Sequence, residues 1–225
     1  GIALDLHLGH AKHAQGTKAA DNLTLVQTLV DNKGKVVAKL TDVVPADESD
    51  VTTVKSEIHV SNAMLWSTDD PYLYTLQSKV YDGARQIDQK DTRVGIRTID
   101  YNVKRGFLLY NKPIELEGMS FHHVGGPGGS AVPDDVWRRR LQQLKNMGMN
   151  ALRPAHTPFA PIFYDLADEM GFMVMNEAFD GWEAEKAEYD YGLFFEQWWQ
   201  TDLAAIVKRD RSHPSIVMWS IGNEV

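Results

Sequence analysis

The sequence has 225 residues, a formal net charge of -8 at neutral pH and no cysteine. The negative charge excludes nucleic acid or an anionic membrane surface as the main partner, because either would need a basic face. The lack of cysteine excludes disulfides and thiolate metal sites and leaves the cellular compartment undecided. No apolar run reaches the roughly 20 residues of a membrane helix, so we predict no membrane partner and a neutral ligand.

Apolar and polar residues alternate in short segments from Leu23 to Ile99, which is typical of an antiparallel sandwich. The predicted strands are "LTLVQTLV", "KVVAKL", "VTTVKSEIHV", "LYTLQSKVYD" and "RVGIRTI". Turn residues separate them at 31–35, 45–49 and 81–85. We therefore predict a β-sandwich domain at residues 1–101.

After Asp100, strands and helices alternate, which predicts a parallel α/β array. The predicted strands are "IELEG", "NALRPAH", "FMVMNEA" and "SIVMWSIGNE", and the helices are "PDDVWRRRLQQLKNMG", "PIFYDLADEMG" and "FEQWWQTDLAAIVKRD". Asp134 or Asp135 is the predicted cap of the first helix, which should end at Gly148. Four strands are half of an eight-stranded barrel and leave unpaired edges. We predict a half barrel at residues 102–225 and expect the other strands either in another polypeptide or in a part of the protein outside this sequence.

Polar side chains follow each of the four predicted parallel strands. They are His122 and His123, Arg153 and His156, Glu177 and Asp180, and Asn223 and Glu224. The carboxyl ends of parallel strands share one edge, so we expect these groups to meet there. Carboxylates and imidazoles suit a ligand rich in hydroxyls, and Trp182 or Trp219 would offer a flat face to a sugar ring.

The residues alone leave two interpretations for most of these groups. Glu224 is either a general acid or a structural carboxylate that caps a helix or pairs with Arg153. Asn223 is either a donor to a sugar hydroxyl or a turn residue. The histidines lack the partner spacing of a zinc site, so we predict no metal. The run "EAEKAEYD" is interpreted as a solvated loop or helix face, and "FMVM" and "QWWQ" as core.

These motifs together resemble glycoside hydrolase family 2, the family of β-galactosidases, β-glucuronidases and β-mannosidases. The segments "LWSTDDPYLYTL" and "RVGIRTI" are similar to the end of its immunoglobulin-like domain, and "KPIELEG", "NALRPAHTP" and "SHPSIVMWSIGNE" to its barrel strands. The resemblance implies an immunoglobulin-like β-sandwich followed by strands 1–4 of a (β/α)8 TIM barrel.

The resemblance also implies a retaining exo-glycosidase for terminal β-linked sugars, with β-galactosidase as the first specificity and β-glucuronidase or β-mannosidase as alternatives. Glu224 matches the general acid/base, and Asn223 the residue that binds the sugar 2-hydroxyl. His122, Arg153 and His156 match the glycone pocket, and Asp180 is a further expected sugar contact. The nucleophile is a glutamate of the seventh strand, outside this chain, so we expect the chain alone to be inactive. The rival is a non-catalytic carbohydrate-binding homologue.

Departures from the family pattern bear on substrate and metal. Asn176 stands where the family usually has aspartate, and Tyr110-Asn111 replaces a turn Asn-Gly, where Asn111 can still adopt a positive φ. The stretch "NEAFDGWE" lacks the Glu-x-His of the magnesium-binding members. We therefore expect no cofactor; a carbohydrate substrate, the remainder of the enzyme and a homo-oligomer are the expected partners.

Overall fold

A computed structural model describes residues 2–9, 22–45, 51–184 and 186–225. The predicted turn at 45–49 lies outside these residues except for Pro45. The chain divides into two compact units, one of Gly1–Met64 with Leu73–Ile96 and the other of Leu65–Tyr72 with Arg97–Val225. The predicted domain boundary at residue 101 stays a prediction. No helix in the described ranges is long and apolar enough to cross a membrane.

The first unit consists of antiparallel strands. They are β1 (Ile2–Gly9), β2 (Asn22–Val30), β3 (Val36–Pro45), β4 (Val51–Ile58), β5 (Tyr74–Asp82) and β6 (Arg85–Val94). One sheet pairs β1 with β4, and the other has the order β3-β2-β5-β6. Leu25, Val44 and Val80 of the larger sheet are buried, and Val54 of β4 packs against them. The alternating apolar residues therefore meet between two sheets, as a sandwich requires.

The last strand of this unit differs from the prediction. The sequence predicted a strand at 93–99, but β6 ends at Val94 and residues 95–98 belong to no strand. β6 is an edge strand with seven exposed residues at its start, so its sequence lacks the apolar alternation that marks a half-buried strand.

The second unit begins with a small antiparallel sheet and continues as alternating strands and helices. The small sheet is β7 (Ile99–Asn102), β8 (Gly106–Leu109) and β9 (Lys112–Pro113). Then follow β10 (Gly118–His122), α1 (Asp134–Asn146), β11 (Ala151–Ala155), α2 (Pro161–Met170), β12 (Met173–Glu177), α3 (Gly192–Asp210) and β13 (Ile216–Ser220). The strands β10-β11-β12-β13 pair in parallel in chain order. This part of the chain is a partial TIM barrel.

The two faces of the parallel sheet have different environments. One face packs on α1 and α2 through a buried aromatic and aliphatic cluster that includes Trp137, Phe163 and Val174. The opposite face borders a cavity of about 230 Å³ whose lining includes Met175 and Met218. The helices thus cover one face and hold the strand ends in place.

The first barrel strand starts later than predicted. The segment "IELEG" was predicted as a strand, but β10 begins only at Gly118. The side chain of Asn150 donates to the Glu115 carbonyl (2.9 Å) and accepts from the Glu117 amide (2.9 Å). This side chain thus satisfies two backbone groups of 115–117 that a strand partner would otherwise satisfy. At Gly118 a Cβ would lie 2.1 Å from the Ala151 carbonyl, so the strands approach closely.

Smaller expectations had mixed outcomes. The N-cap of α1 is Pro133, with no side-chain hydrogen bond, so the predicted aspartate cap is wrong. Tyr110 and Asn111 have φ of 53° and 60°, which confirms the positive φ of Asn111. Met173 is buried as predicted, but Trp198 is 44% exposed on α3, so its prediction as core is wrong.

Candidate active site

Glu177, at the end of β12, is the centre of a polar cluster. Its side chain is 1% exposed. Arg153 donates to both of its oxygens (2.8 and 3.0 Å from Nη2), His156 Nδ1 lies 2.8 Å from Oε1, and Ser220 Oγ donates to Oε2 (2.9 Å). Burial by itself would raise the pKa of Glu177, but the hydrogen bonds from His156, Arg153 and Ser220 outweigh it and lower the pKa. Glu177 is therefore a fixed carboxylate that orients its neighbours.

Asn223 is held by side chains from two other strand ends. Its Oδ1 accepts from Arg153 Nη2 (3.0 Å) and its Nδ2 donates to Asp180 Oδ1 (3.2 Å). Its backbone amide donates to the Phe179 carbonyl (3.0 Å). The orientation of the amide is thus set, because one end faces a cation and the other a carboxylate.

Glu224 follows β13 and lies beside this cluster. Its side chain is 79% exposed, and Oε2 lies 3.3 Å from Lys186 Nζ. Lys186 also donates to Asp180 Oδ1 (3.0 Å), which ties Glu224 to the residues around Asn223. The hydrogen bond from Lys186 is the main cause that lowers the pKa of Asp180. Glu224 therefore lies at the same strand ends as its predicted partners, with its carboxyl group open to solvent.

The two adjacent histidines at the end of β10 have different surroundings. His122 is exposed and its ring lies 5.3 Å from that of His156, edge to face. His123 stacks on Trp137 at 5.4 Å and contacts Phe159 at 4.8 Å. Burial, with a smaller effect of Arg140, lowers the pKa of His123. His122 belongs to the cluster of polar strand ends, whereas His123 belongs to the aromatic core.

Trp182 supports the loop that carries Asn223 and Glu224. Its Nε1 donates to the Ile221 carbonyl (3.0 Å), and its ring stacks on Phe195 at 5.8 Å. A Cβ at Gly222 would lie 2.9 Å from Trp182 Nε1, so only glycine fits this approach without a shift. One face of Trp182 therefore packs on protein, and its contact with a sugar stays a prediction, as does that of Trp219.

Asn176, the departure next to Glu177, joins a buried network. Its Oδ1 accepts from the Tyr164 hydroxyl (2.7 Å), and its Nδ2 donates to Asp210 Oδ2 (3.0 Å). Arg209 pairs with Asp210 and also donates to the Phe159 carbonyl (3.0 Å). An aspartate here would bring a second carboxylate against Asp210, whereas the amide donates to it. Asparagine thus suits the partners that this chain provides.

A second acidic group lies away from these strand ends. The ligand atoms of Asp165, Asp168 and His213 lie within 4.8 Å of one another. Asp168, however, pairs with His213 Nδ1 (2.6 Å) and accepts from the Ser215 amide (3.0 Å). His213 and Ser215 lie just before β13, and their contacts with Asp168 form an internal ion pair and hydrogen bond. We therefore assign no metal to the group.

The structure brings the predicted site residues together at one edge of the sheet. They are His122, Arg153, His156, Asp180, Asn223 and Glu224. Sequence reasoning placed Glu177 at this edge but not as the centre of the cluster, gave no role to Ser220 and interpreted the Lys186 segment as solvated. The position of Glu177 at the end of an apolar strand was a usable signal. Nothing in the sequence indicated that Lys186 would reach Glu224.

Comparison with known proteins identifies the family. The family model described as "Glycosyl hydrolases family 2, TIM barrel domain" matches residues 102–225, and the one described as "Glycosyl hydrolases family 2" matches residues 5–97. The chain belongs to glycoside hydrolase family 2. The polar strand ends described above thus form the candidate active site of a family 2 chain.

Family 2 relatives align with nearly all of the chain. Beta-galactosidase BoGH2A of Bacteroides ovatus is 41% identical over 91% of this chain and 24% of its own length. A beta-glucuronidase of Bacteroides fragilis is 28% identical over 96% of this chain and 31% of its own. A family 2 structure from Bacteroides cellulosilyticus superposes with a TM-score of 0.92 at 34% identity, covering 99% of this chain and 28% of that one. The chain spans about a quarter to a third of these relatives.

Proposed function

We propose that this chain is part of a retaining exo-glycosidase and that Glu224 is its general acid/base. Its four parallel strands would be the first four of an eight-stranded barrel, after an immunoglobulin-like sandwich. The observation that carries the proposal is the position of Glu224 after the fourth strand, next to an asparagine fixed by Arg153 and Asp180. The active sites of such barrels lie at this end of the strands.

The proposed reaction has two steps. Glu224 protonates the glycosidic oxygen while a glutamate from a later strand attacks the anomeric carbon, and the C–O bond to the leaving group breaks. Glu224 then takes a proton from the water that releases the sugar. Asn223 would donate its second amide hydrogen to a sugar hydroxyl, since one is already held by Asp180.

We propose a neutral sugar, with β-galactoside as the first choice. Arg153 is paired with Glu177, and Lys186 with Asp180 and Glu224, so each of these two cations already has a carboxylate partner. A uronic acid would need a cation free to bind its carboxylate. A relative named as a beta-galactosidase and one named as a putative beta-glucuronidase are each 41% identical to this chain, so the relatives' names support both sugars. The second candidate is therefore β-glucuronidase.

Aryl glycosides test the proposal. A full-length protein that carries this chain should hydrolyse an aryl β-galactoside with a kcat/KM at least about 100-fold above those for the β-glucuronide and β-mannoside. The 225-residue chain alone should turn over none of them, because it supplies one of the two carboxylates that the reaction needs. A preference for the glucuronide would contradict the sugar assignment. No turnover of any glycoside by the longer protein would favour a non-catalytic carbohydrate-binding role.

A further inference from the structure

We propose that Lys186 is a positioning residue for Glu224, and that its ammonium group offsets the charge formed when Glu224 gives up its proton. This proposal rests on the acid/base role of Glu224. Lys186 lies in the segment between β12 and α3, which the sequence alone indicated to be a solvated loop. Neither the family pattern nor the strand-end rule singles it out.

The ammonium group of Lys186 has three oxygen neighbours. Nζ donates to the Asp180 carbonyl (2.7 Å) and to Asp180 Oδ1 (3.0 Å), and Glu224 Oε2 lies 3.3 Å away. Its side chain is 28% exposed, whereas that of Glu224 is 79% exposed. Glu224 has no other hydrogen bond or ion pair among the described residues. Among the described residues, Lys186 is thus the group that contacts this carboxylate.

Lys186 is itself held in place from both ends. The Asp190 carboxylate accepts from the backbone amides of Lys186 (2.6 Å) and Ala187 (3.2 Å), and from Gly192 (2.9 Å) at the start of α3. The side-chain stem passes over Gly181, where a Cβ would lie 3.1 Å from Lys186 Cε. The loop therefore delivers the ammonium to one place, as a positioning role requires.

The charges around this nitrogen explain its effect on the reaction. Asp180 and Glu224 contact the same ammonium, and the charge of His156 also acts on Asp180. Loss of solvent lowers the pKa of Lys186, but its hydrogen bonds with the two carboxylates raise it overall, so it stays charged. When Glu224 transfers its proton to the leaving oxygen, the new carboxylate faces a cation already in place. Lys186 itself transfers no proton.

A double-mutant cycle tests this role in a full-length protein that carries the chain. Lys186→Met keeps the stem and removes the charge, Lys186→Arg keeps the charge, and Lys208→Met on the exposed end of α3 controls for net charge. Each is assayed with 2,4-dinitrophenyl β-galactoside, which needs little protonation, and with methyl β-galactoside, which needs much. Glu224→Gln and the Lys186→Met/Glu224→Gln pair complete the cycle. Thermal unfolding verifies that each variant is folded.

We expect Lys186→Met to lower kcat/KM, which reports the first step, by about 10- to 100-fold for the methyl glycoside and by less than about 3-fold for the dinitrophenyl glycoside. Lys186→Arg should recover most of the loss, and Lys208→Met should change neither rate. In the Glu224→Gln background, Lys186→Met should lower kcat/KM for the methyl glycoside by less than about 2-fold, because the carboxyl group that Lys186 positions is no longer present. Equal losses on both substrates, or additive losses in the cycle, would overturn the proposal while leaving Glu224 as the acid. A Glu224→Gln variant without leaving-group dependence would overturn both proposals.

Discussion

Asp168 is a buried carboxylate on α2 that pairs with a histidine. His213 Nδ1 lies 2.6 Å from it, with side-chain exposures of 16% and 1%. Burial lowers the pKa of His213, but the hydrogen bond and charge of Asp168 outweigh it and raise the pKa overall. A histidine with a raised folded pKa stabilises the protein fully below its unfolded pKa of 6.5, and this stability is lost as the pH rises through the folded value.

We therefore predict that the second unit loses stability as the pH rises from 6 towards 9. His213→Asn should remove this part of the pH dependence and cost about 1.5 to 3 kcal/mol at pH 6. His59→Asn, at an exposed ion pair of the first unit, should leave the pH dependence of the second unit's stability unchanged. Urea unfolding by tryptophan fluorescence measures this, because all six tryptophans lie in the second unit. A His213→Asn protein with the original pH dependence would refute the assignment.

For single residues, sequence reasoning predicted where the site residues lie better than it predicted which side chains pair with each other. The strand-end rule placed Arg153, Asn223 and Asp180 at one edge, and they are in contact there. It could not show that Arg153 is paired with Glu177, because that pairing depends on side-chain directions across two strands. The Lys186 contact was missed for a related reason, since a charged loop gives no periodic signal of what it covers.

Two helices of the second unit end at a glycine, but in different surroundings. Gly148 after α1 has φ +89° with nothing within 4 Å of an added Cβ. Gly171 after α2 has φ +71°, and an added Cβ would lie 2.4 Å from the Thr68 carbonyl. Lys145 Nζ bridges the carbonyls of Thr68 and Gly171 at 2.9 Å each, which keeps that approach tight. The first glycine supplies only backbone freedom, whereas the second also makes space.

The two alanine substitutions should therefore differ in cost. Gly148→Ala should lower the free energy of unfolding by about 1 kcal/mol, the cost of a left-handed conformation for a residue with a Cβ. Gly171→Ala should lower it by about 3 kcal/mol, because backbone must also move to relieve the clash. Urea titrations followed by tryptophan fluorescence compare them. Equal decreases in the free energy of unfolding would show that the backbone at Thr68 moves aside at no cost.

At the element scale, the prediction worked where burial imposes a period. α2, β11 and β12 lie close to their predicted positions, because apolar faces and terminal glycines mark them. β6 was missed because an edge strand needs no apolar face, and the start of β10 because the side chain of Asn150 replaces a strand partner. Both errors arise where side chains or solvent satisfy the hydrogen-bonding groups of the backbone.

For the molecule as a whole, membership of family 2 and the partial barrel are the basis for the proposed role of Glu224. The family follows from matches over 102–225 and 5–97. The site follows from three strand ends whose polar groups contact one another, from Glu177 through Arg153 and Asn223 to Glu224. We propose that Glu224 is the group that donates and then accepts the proton.

Azide rescue of Glu224→Ala tests that claim most directly. In a full-length protein that carries this chain, the variant should hydrolyse 2,4-dinitrophenyl β-galactoside slowly, because no base activates the water of the second step. Sodium azide needs no base, so it should restore turnover by about 10-fold or more and give the β-galactosyl azide. A Glu177→Ala variant, which lacks the orienting carboxylate, should not be rescued. Failure of azide to rescue Glu224→Ala, or formation of the α-azide, would contradict the account.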